Sequence, residues 1–374
     1  MELSLQIEDK TFLRRLDWTL ICFILFIQII GLINLYSATH GPNSKDVEPL
    51  FVNQLVWLGV GWGVFFIVTL LDYTVFSQIA WIIFIFNFAA IVYVNFHGRV
   101  TLGAQRWIDL GAFHYQPSET IKLALILLLA KILSVRSTFG SGMGFKELAI
   151  PSLCLFVPFV LIAKQPDLGT GMMVIAIGGS MLIFSKVKRY ILVGAMALGL
   201  AGAYFSWSFV LRDYQKNRVL TFLSPTNDPR GTGYNSIQSK IAVGSGNFAG
   251  KGFRKGTQSQ LEFLPERHTD FIFSVLSEEW GFMGSFLTLS LFGWLFVLMI
   301  RIATNAREKF GALLCVGVLC YIFWHMFVNV GMVIGLLPIV GVPLPLLSYG
   351  GSSMLTTMAG LGLVSSVAYR RYLF

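Results

Sequence analysis

Residues 261–300 read LEFLPERHTDFIFSVLSEEWGFMGSFLTLSLFGWLFVLMI: three acids, an arginine and a histidine run straight into a long, almost wholly apolar stretch. About twenty consecutive apolar residues cross the hydrocarbon core of a bilayer as a helix, because lipid-exposed backbone must satisfy its own hydrogen bonds. The stretch from 270 to 300 therefore predicts a membrane-spanning helix with charge gathered at its start. Similar runs recur along the chain, at roughly 18–39, 51–71, 75–95, 118–135, 148–164, 167–185, 190–211, 311–335 and 351–369. They are continuously apolar and lack the alternation of a barrel wall. The expected fold class is an all-α polytopic membrane protein, a single transmembrane domain over 1–374 with about ten helices and one large extracytoplasmic loop at about 212–269.

Composition agrees. Of 374 residues, 55% are hydrophobic and 13% charged, where a soluble chain carries about a quarter charged residues. The first span is too long, and too weakly followed by small residues, for a removable signal peptide. Cys22, Cys154, Cys315 and Cys320 fall within expected spans with no CxxC or His/Cys metal spacing, and are read as packing residues.

Basic residues in short loops stay on the cytoplasmic side. Lys10, Arg14 and Arg15 mark one side, and after successive crossings the same side collects Lys131, Arg136, Lys146, Lys186, Lys188, Arg189, Arg301, Arg307, Lys309, Arg370 and Arg371. Only Lys45, Arg99, Arg106, Lys122 and Lys164 lie in the short loops and span edges opposite, so both termini are expected in the cytoplasm. The net charge of +9 is then mostly a topological signal beside anionic membrane lipids, with no argument for nucleic acid.

The outer segment contains RGTGYNSIQSKIAVGSGNFAGKGFRKG, residues 230–256, with seven glycines among Lys240, Lys251, Arg254 and Lys255. It fails the P-loop pattern, since Ser245 stands where the first glycine belongs and Gly252 where the hydroxyl belongs, so no nucleotide is expected. Backbone amides interleaved with bases suit phosphate oxygens; anchoring on headgroups is the plain alternative. Ile237 and Ile241, one turn apart, fit a short interfacial helix.

In the opening stretch Pro265 breaks what precedes, Thr269 is placed to cap, and Asp270 falls in the first helical turn, where the dipole favours its ionised form as a general base. Ser274, Ser277 and Glu278 extend a polar stripe along the same face. Charge within a span costs about 2.5–3.5 kcal/mol and is usually paired or functional, which singles out Glu278, Glu279, Glu119, Lys122 and Asp167. Glu119 and Lys122, three apart, can pair with each other. Asp167 can simply cap a helix. RVTLGAQRWIDLGAFHYQPSE reads as a polar loop offering Arg106 and Trp107 to a phosphate at headgroup depth. PIVGVPLPLLSYGGSSM, residues 338–354, is broken backbone that membrane depth tolerates only against protein or a cavity. His325, alone in mid-span, reads as a packing residue, while His268 stands beside Asp270. Together these residues describe an outward polar groove fit for a lipid-linked phosphate or diphosphate, leaving group transfer, lipid flipping and solute transport open.

GAQRWIDLGAFHYQPSETIK, KQPDLGTG, LPERHTDFIFSVLSEEWGF and GVPLPLLSYGGSSM, in this order among the spans, resemble the SEDS family of shape, elongation, division and sporulation proteins, its elongation branch more than its division branch. The resemblance covers nearly the whole chain. It implies a bacterial inner-membrane peptidoglycan glycosyltransferase that polymerises lipid II at the outer face, partnered by a class B penicillin-binding protein transpeptidase within the elongation machinery. It also implies a divalent cation, Mg or Mn, although this sequence shows no metal-ligand spacing. Asp270 matches the family's catalytic aspartate, and Arg106, Glu119, Lys122 and Asp167 match its other important polar positions. Lys251, Arg254, Glu266, His268 and Ser352 complete the expected substrate-binding set. A lipid II flippase, mildly supported by Glu278 and Glu279, and a scaffold for the transpeptidase are the rivals.

Overall fold

A computed structural model describes residues 15–40, 49–101, 104–109, 111, 114–136, 142–211, 213–224, 232–261 and 263–371. Lys10, Arg14, Lys45, Gly231 and Glu262 lie outside the described residues.

Ten helices of 17 residues or more organise the described chain: α1 (Trp18–Thr39), α2 (Pro49–Leu70), α3 (Tyr73–His97), α4 (Pro117–Arg136), α5 (Phe145–Lys164), α6 (Leu168–Phe184), α7 (Arg189–Phe205), α11 (Ile272–Thr304), α12 (Lys309–Val333) and α13 (Gly351–Arg370). Between α7 and α11 lie α8 (Asp213–Leu223), α9 (Thr232–Ser245) and α10 (Thr257–Gln260), within the segment expected as the outer loop. Seven helices are long and apolar enough to cross a membrane, namely α1, α2, α3, α5, α7 with its continuation to Phe209, α11 and α12. Each of the ten expected stretches coincides with a long helix to within a few residues, or six at the end of α7. The chain is a polytopic helical membrane protein. Starts are fixed by local chemistry: Asp17 accepts from the Leu20 amide, Asp72 from that of Thr74 and Asp167 from that of Thr170, each filling an orphan donor of a first turn.

The helices sort into layers. α4 is buried on nearly every side from Ile121 to Leu133, and α12 packs against α4, α6, α11 and α13. α13 lies along α2, α11 beside α1, and α7 buries none of its residues.

One expectation changes. The stretch between α3 and α4 is a small antiparallel sheet, β1 (Arg99–Thr101), β2 (Ala104–Asp109) and β3 (His114–Tyr115), in the order β1-β2-β3. Its strands pair their backbone groups with one another, β1 with β2 and β2 with β3.

A second departure lies in α11, which is interrupted at Gly281 (φ 64°, ψ −159°). The chain after α9 threads this break: the Lys251 and Gly252 amides donate to the Glu278 and Glu279 carbonyls at 3.0 and 2.9 Å, and the Phe282 amide to Asn247 at 2.9 Å. Gly250 (φ +78°) and Gly281 permit it, because a Cβ on either would run into the opposing backbone. The glycine-rich stretch is thus partly helix α9 and partly a strap on α11.

Candidate active site

The broken backbone of 338–354, the sheet and the starts of α4, α6, α11 and α13 meet around a cavity of about 1010 Å³. Arg106, Glu119, Asp167, His268, Asp270 and Ser352 all line it, so six of the ten expected site residues are brought together. Val56 and Val60 of α2, exposed on its outer face, form an apolar flank.

Asp270 lies two residues before α11, half-buried on the cavity wall. Its carboxylate accepts no hydrogen bond from the described residues. Burial pushes its pKa up to about 6, with Glu266 and Asp167 adding to the rise and Arg218 opposing it. The expected helix-dipole effect does not win: α11 is preceded by Phe271 without a side-chain cap, and the Thr269 hydroxyl donates to Glu266 instead. At pH 7 a carboxyl with this pKa is still about nine-tenths ionised, so it remains a base. Burial also lowers the His268 pKa, with Arg267 adding and Glu266 opposing, which keeps the imidazole neutral.

Arg106 spans the turn between α5 and α6. Its guanidinium donates to the carbonyls of Gln165, at 3.3 Å, and Pro166, and lies 3.8 Å from the Asp167 carboxylate. Asp167 thus does two things, capping α6 and facing the cavity. Glu119 receives Lys122 Nζ on Oε1 at 2.8 Å, as the i, i+3 spacing predicts, while its Oε2 is buried without a partner among the described residues. His325 is more than packing: its Nε2 lies 3.0 Å from Lys122 Nζ, so the lysine is clamped behind the cavity wall between α4 and α12. Ser352 accepts from the Gln116 amide at 3.4 Å, tying the start of α13 to that of α4.

The remaining expected residues lie elsewhere. Lys251 pairs with Glu278 at 2.7 Å, Arg254 lies over the Tyr36 ring, and Glu266 is exposed beside Thr269 and His268; none lines the cavity. Ser274, Ser277 and Glu278 are buried in α11, so the polar stripe does not reach the cavity either. Sequence reasoning missed Asn53, Trp57, His114, Gln116 and Thr170 on the wall, and Tyr349 was named only within its motif. The signal for His114 and Gln116 was their place in the polar run before α4.

Among the described residues no three of His, Cys, Asp and Glu converge in a way that could hold a metal ion. The described residues thus offer no three-residue cage of this kind, and no step is routed through a divalent cation.

The chain matches the family of cell cycle proteins FtsW, RodA and SpoVE over residues 17–373. It is 39% identical to the peptidoglycan glycosyltransferase MrdB of Escherichia coli (strain K12), covering 95% of this chain and 94% of that protein. Identity is 35% to stage V sporulation protein E of Bacillus subtilis (strain 168), over 95% and 98% of the two chains. Among solved structures, a chain of a peptidoglycan synthase complex with coordinated polymerization and crosslinking superposes with a TM-score of 0.80 at 33% identity, covering 96% of this chain and 99% of that one. The crystal structure of the rod shape determining protein RodA of Thermus thermophilus gives 0.71 at 30% identity, over 96% and 98%. With its four motifs gathered around one cavity and its length matched throughout, the chain belongs to the FtsW, RodA and SpoVE family, the SEDS proteins.

Proposed function

We propose that this chain is a peptidoglycan glycosyltransferase that polymerises lipid II into glycan strands by inverting transfer, with Asp270 as general base. The observation that carries this reading is the Asp270 carboxylate, without a hydrogen-bond partner among the described residues, on the wall of a cavity it shares with Arg106. An acceptor sugar's 4-hydroxyl in that cavity gives its proton to the carboxylate as its oxygen attacks the anomeric carbon of a donor. The bond from that carbon to the diphosphate breaks, and its electron pair leaves with undecaprenyl diphosphate. Negative charge grows on the leaving group, and the cation on the wall, Arg106, stabilises it more in the transition state than before. Glu119, Asp167, His268 and Ser352 are assigned to holding the sugars, with Lys122 fixing Glu119 from behind. The exposed Val56 and Val60 flank suits a polyprenyl chain entering from lipid.

Topology completes the reading. The basic residues near the ends of α1, α5, α7, α12 and α13 support a topology with both termini in the cytoplasm of a bacterial inner membrane and the cavity at the outer face. The similarity to a chain of a synthase complex supports a class B penicillin-binding transpeptidase as partner. A flippase is not favoured: Glu278 and Glu279, which would have lined a full-depth polar route, are occupied by Lys251 and Ser37. Purified protein incubated with lipid II should yield glycan chains that the Asp270→Asn variant does not make; movement of labelled lipid II across vesicles without polymer would overturn the reading.

A further inference from the structure

Four carbonyls around the start of α11 are held from outside their own helix. That of His268 accepts from the Tyr349 amide at 3.0 Å, Thr269 from the Ser348 hydroxyl at 2.7 Å, Asp270 from the Asn329 side chain at 2.9 Å, and Ile272 from Asn34 at 2.8 Å. Asn329 does one thing more: the same Nδ2 donates to the Val342 carbonyl at 2.7 Å. A single amide group on α12, fully buried, thus joins the segment carrying Asp270 to the segment 341–343. Those two segments meet again at the carboxylate, where a Cβ added to Gly341 would lie 3.3 Å from Asp270 Oδ2. A carbonyl fixed at residue 270 fixes the peptide plane beside its Cβ, and so the origin of the side chain.

We propose that Asn329 is a positioning residue for the transfer reaction, locking the main chain of Asp270 to Val342 so that the carboxylate is held beside Gly341 in the cavity. This rests on Asp270 being the base. Asn34 is the internal comparison, since it makes the same kind of bond to a carbonyl two residues further on and bridges nothing to the cavity wall. The groups facing Asp270 are Glu266 and His268 on its own segment, Asp167 on the α5–α6 turn, Arg218 on α8, and Arg106 and Glu119 across the cavity.

The test is steady-state polymerisation of lipid II across pH by the full-length protein carrying Asn329→Ala, Asn329→His, Asn34→Ala or Asp270→Asn. Loss of positioning in Asn329→Ala should lower kcat about ten- to a hundred-fold with KM nearly unchanged. Its acid limb should move to lower pH, because a less confined carboxylate regains water. Asn329→His, whose ring N–H can donate to one carbonyl, should recover part of the rate, and Asn34→Ala should leave the acid limb in place. Wild-type kcat and acid limb in Asn329→Ala would overturn the proposal, as would equal rate losses in the two alanine variants with no change in pH profile. Should Asn329→Ala fail to accumulate in membranes, Asn329→Ser takes its place with the same outcomes. An active Asp270→Asn would instead remove the base itself, a failure distinguishable from that of Asn329.

Discussion

Asp270 and Glu278 stand eight residues apart on one stretch of chain and meet opposite fates. Glu278, buried, receives Lys251 Nζ at 2.7 Å, the Gln258 and Ser259 amides at 3.0 and 3.3 Å, and the Thr257 hydroxyl at 3.2 Å. Asp270 receives nothing from the described residues and faces a cavity. Desolvating a carboxylate costs free energy in both places. At Glu278 four donors offset the cost and the acid becomes a staple holding the strap in the α11 break. At Asp270 the cost remains, appears as a raised pKa, and leaves a base ready to take a proton. Counting acids in a span does not find the site; asking which carboxylate faces the cavity with neither oxygen bonded among the described residues does.

The sharpest way to break this comparison is to neutralise each acid in turn. Asp270→Asn should reduce lipid II polymerisation by about 10²–10⁴-fold while leaving the thermal midpoint in detergent unchanged, the range of a lost general base. Glu278→Gln should do the reverse, lowering the midpoint more than the turnover. A third acid sharpens the contrast: Lys122→Met strands the buried Glu119 and should destabilise by about 3–5 kcal/mol, whereas the double variant Glu119→Gln/Lys122→Met should recover much of that stability. Denaturation of the purified variants reads both. Lys251→Met should have the smallest effect, about 1–3 kcal/mol, because the lysine is partly exposed and Glu278 keeps its neutral donors. It should show as faster proteolysis within residues 246–256 with an unchanged KM for lipid II; a raised KM would return Lys251 to the substrate.

What was legible follows the same physics. Lipid forces hydrogen bonds to close within a segment, so apolar runs became helices within a few residues of their expected limits. The same rule marked 338–354 as backbone set against protein or a cavity, and part of it lines the cavity; spacing alone paired Glu119 with Lys122. The sheet was hidden because its strands are two to six residues long and polar. Lys251 and Arg254 were assigned to substrate because glycine and lysine together suit phosphate, yet the glycines serve the close approach of the strap to Gly281. No pattern in sequence separates a lysine that meets a ligand from one that meets a buried glutamate 27 residues away. The partners of His325 and Asn329 were equally silent, since they lie on α4, before α11 or beyond the end of α12.

The central claim is that the half-buried Asp270 carboxylate takes the acceptor's proton, and the pH dependence of polymerisation by the purified protein tests it most directly. A base must be deprotonated to act, so the rate should fall as pH drops through about 6, with an acid limb centred there and a plateau above it. A profile flat from pH 5 to 8 would contradict the account.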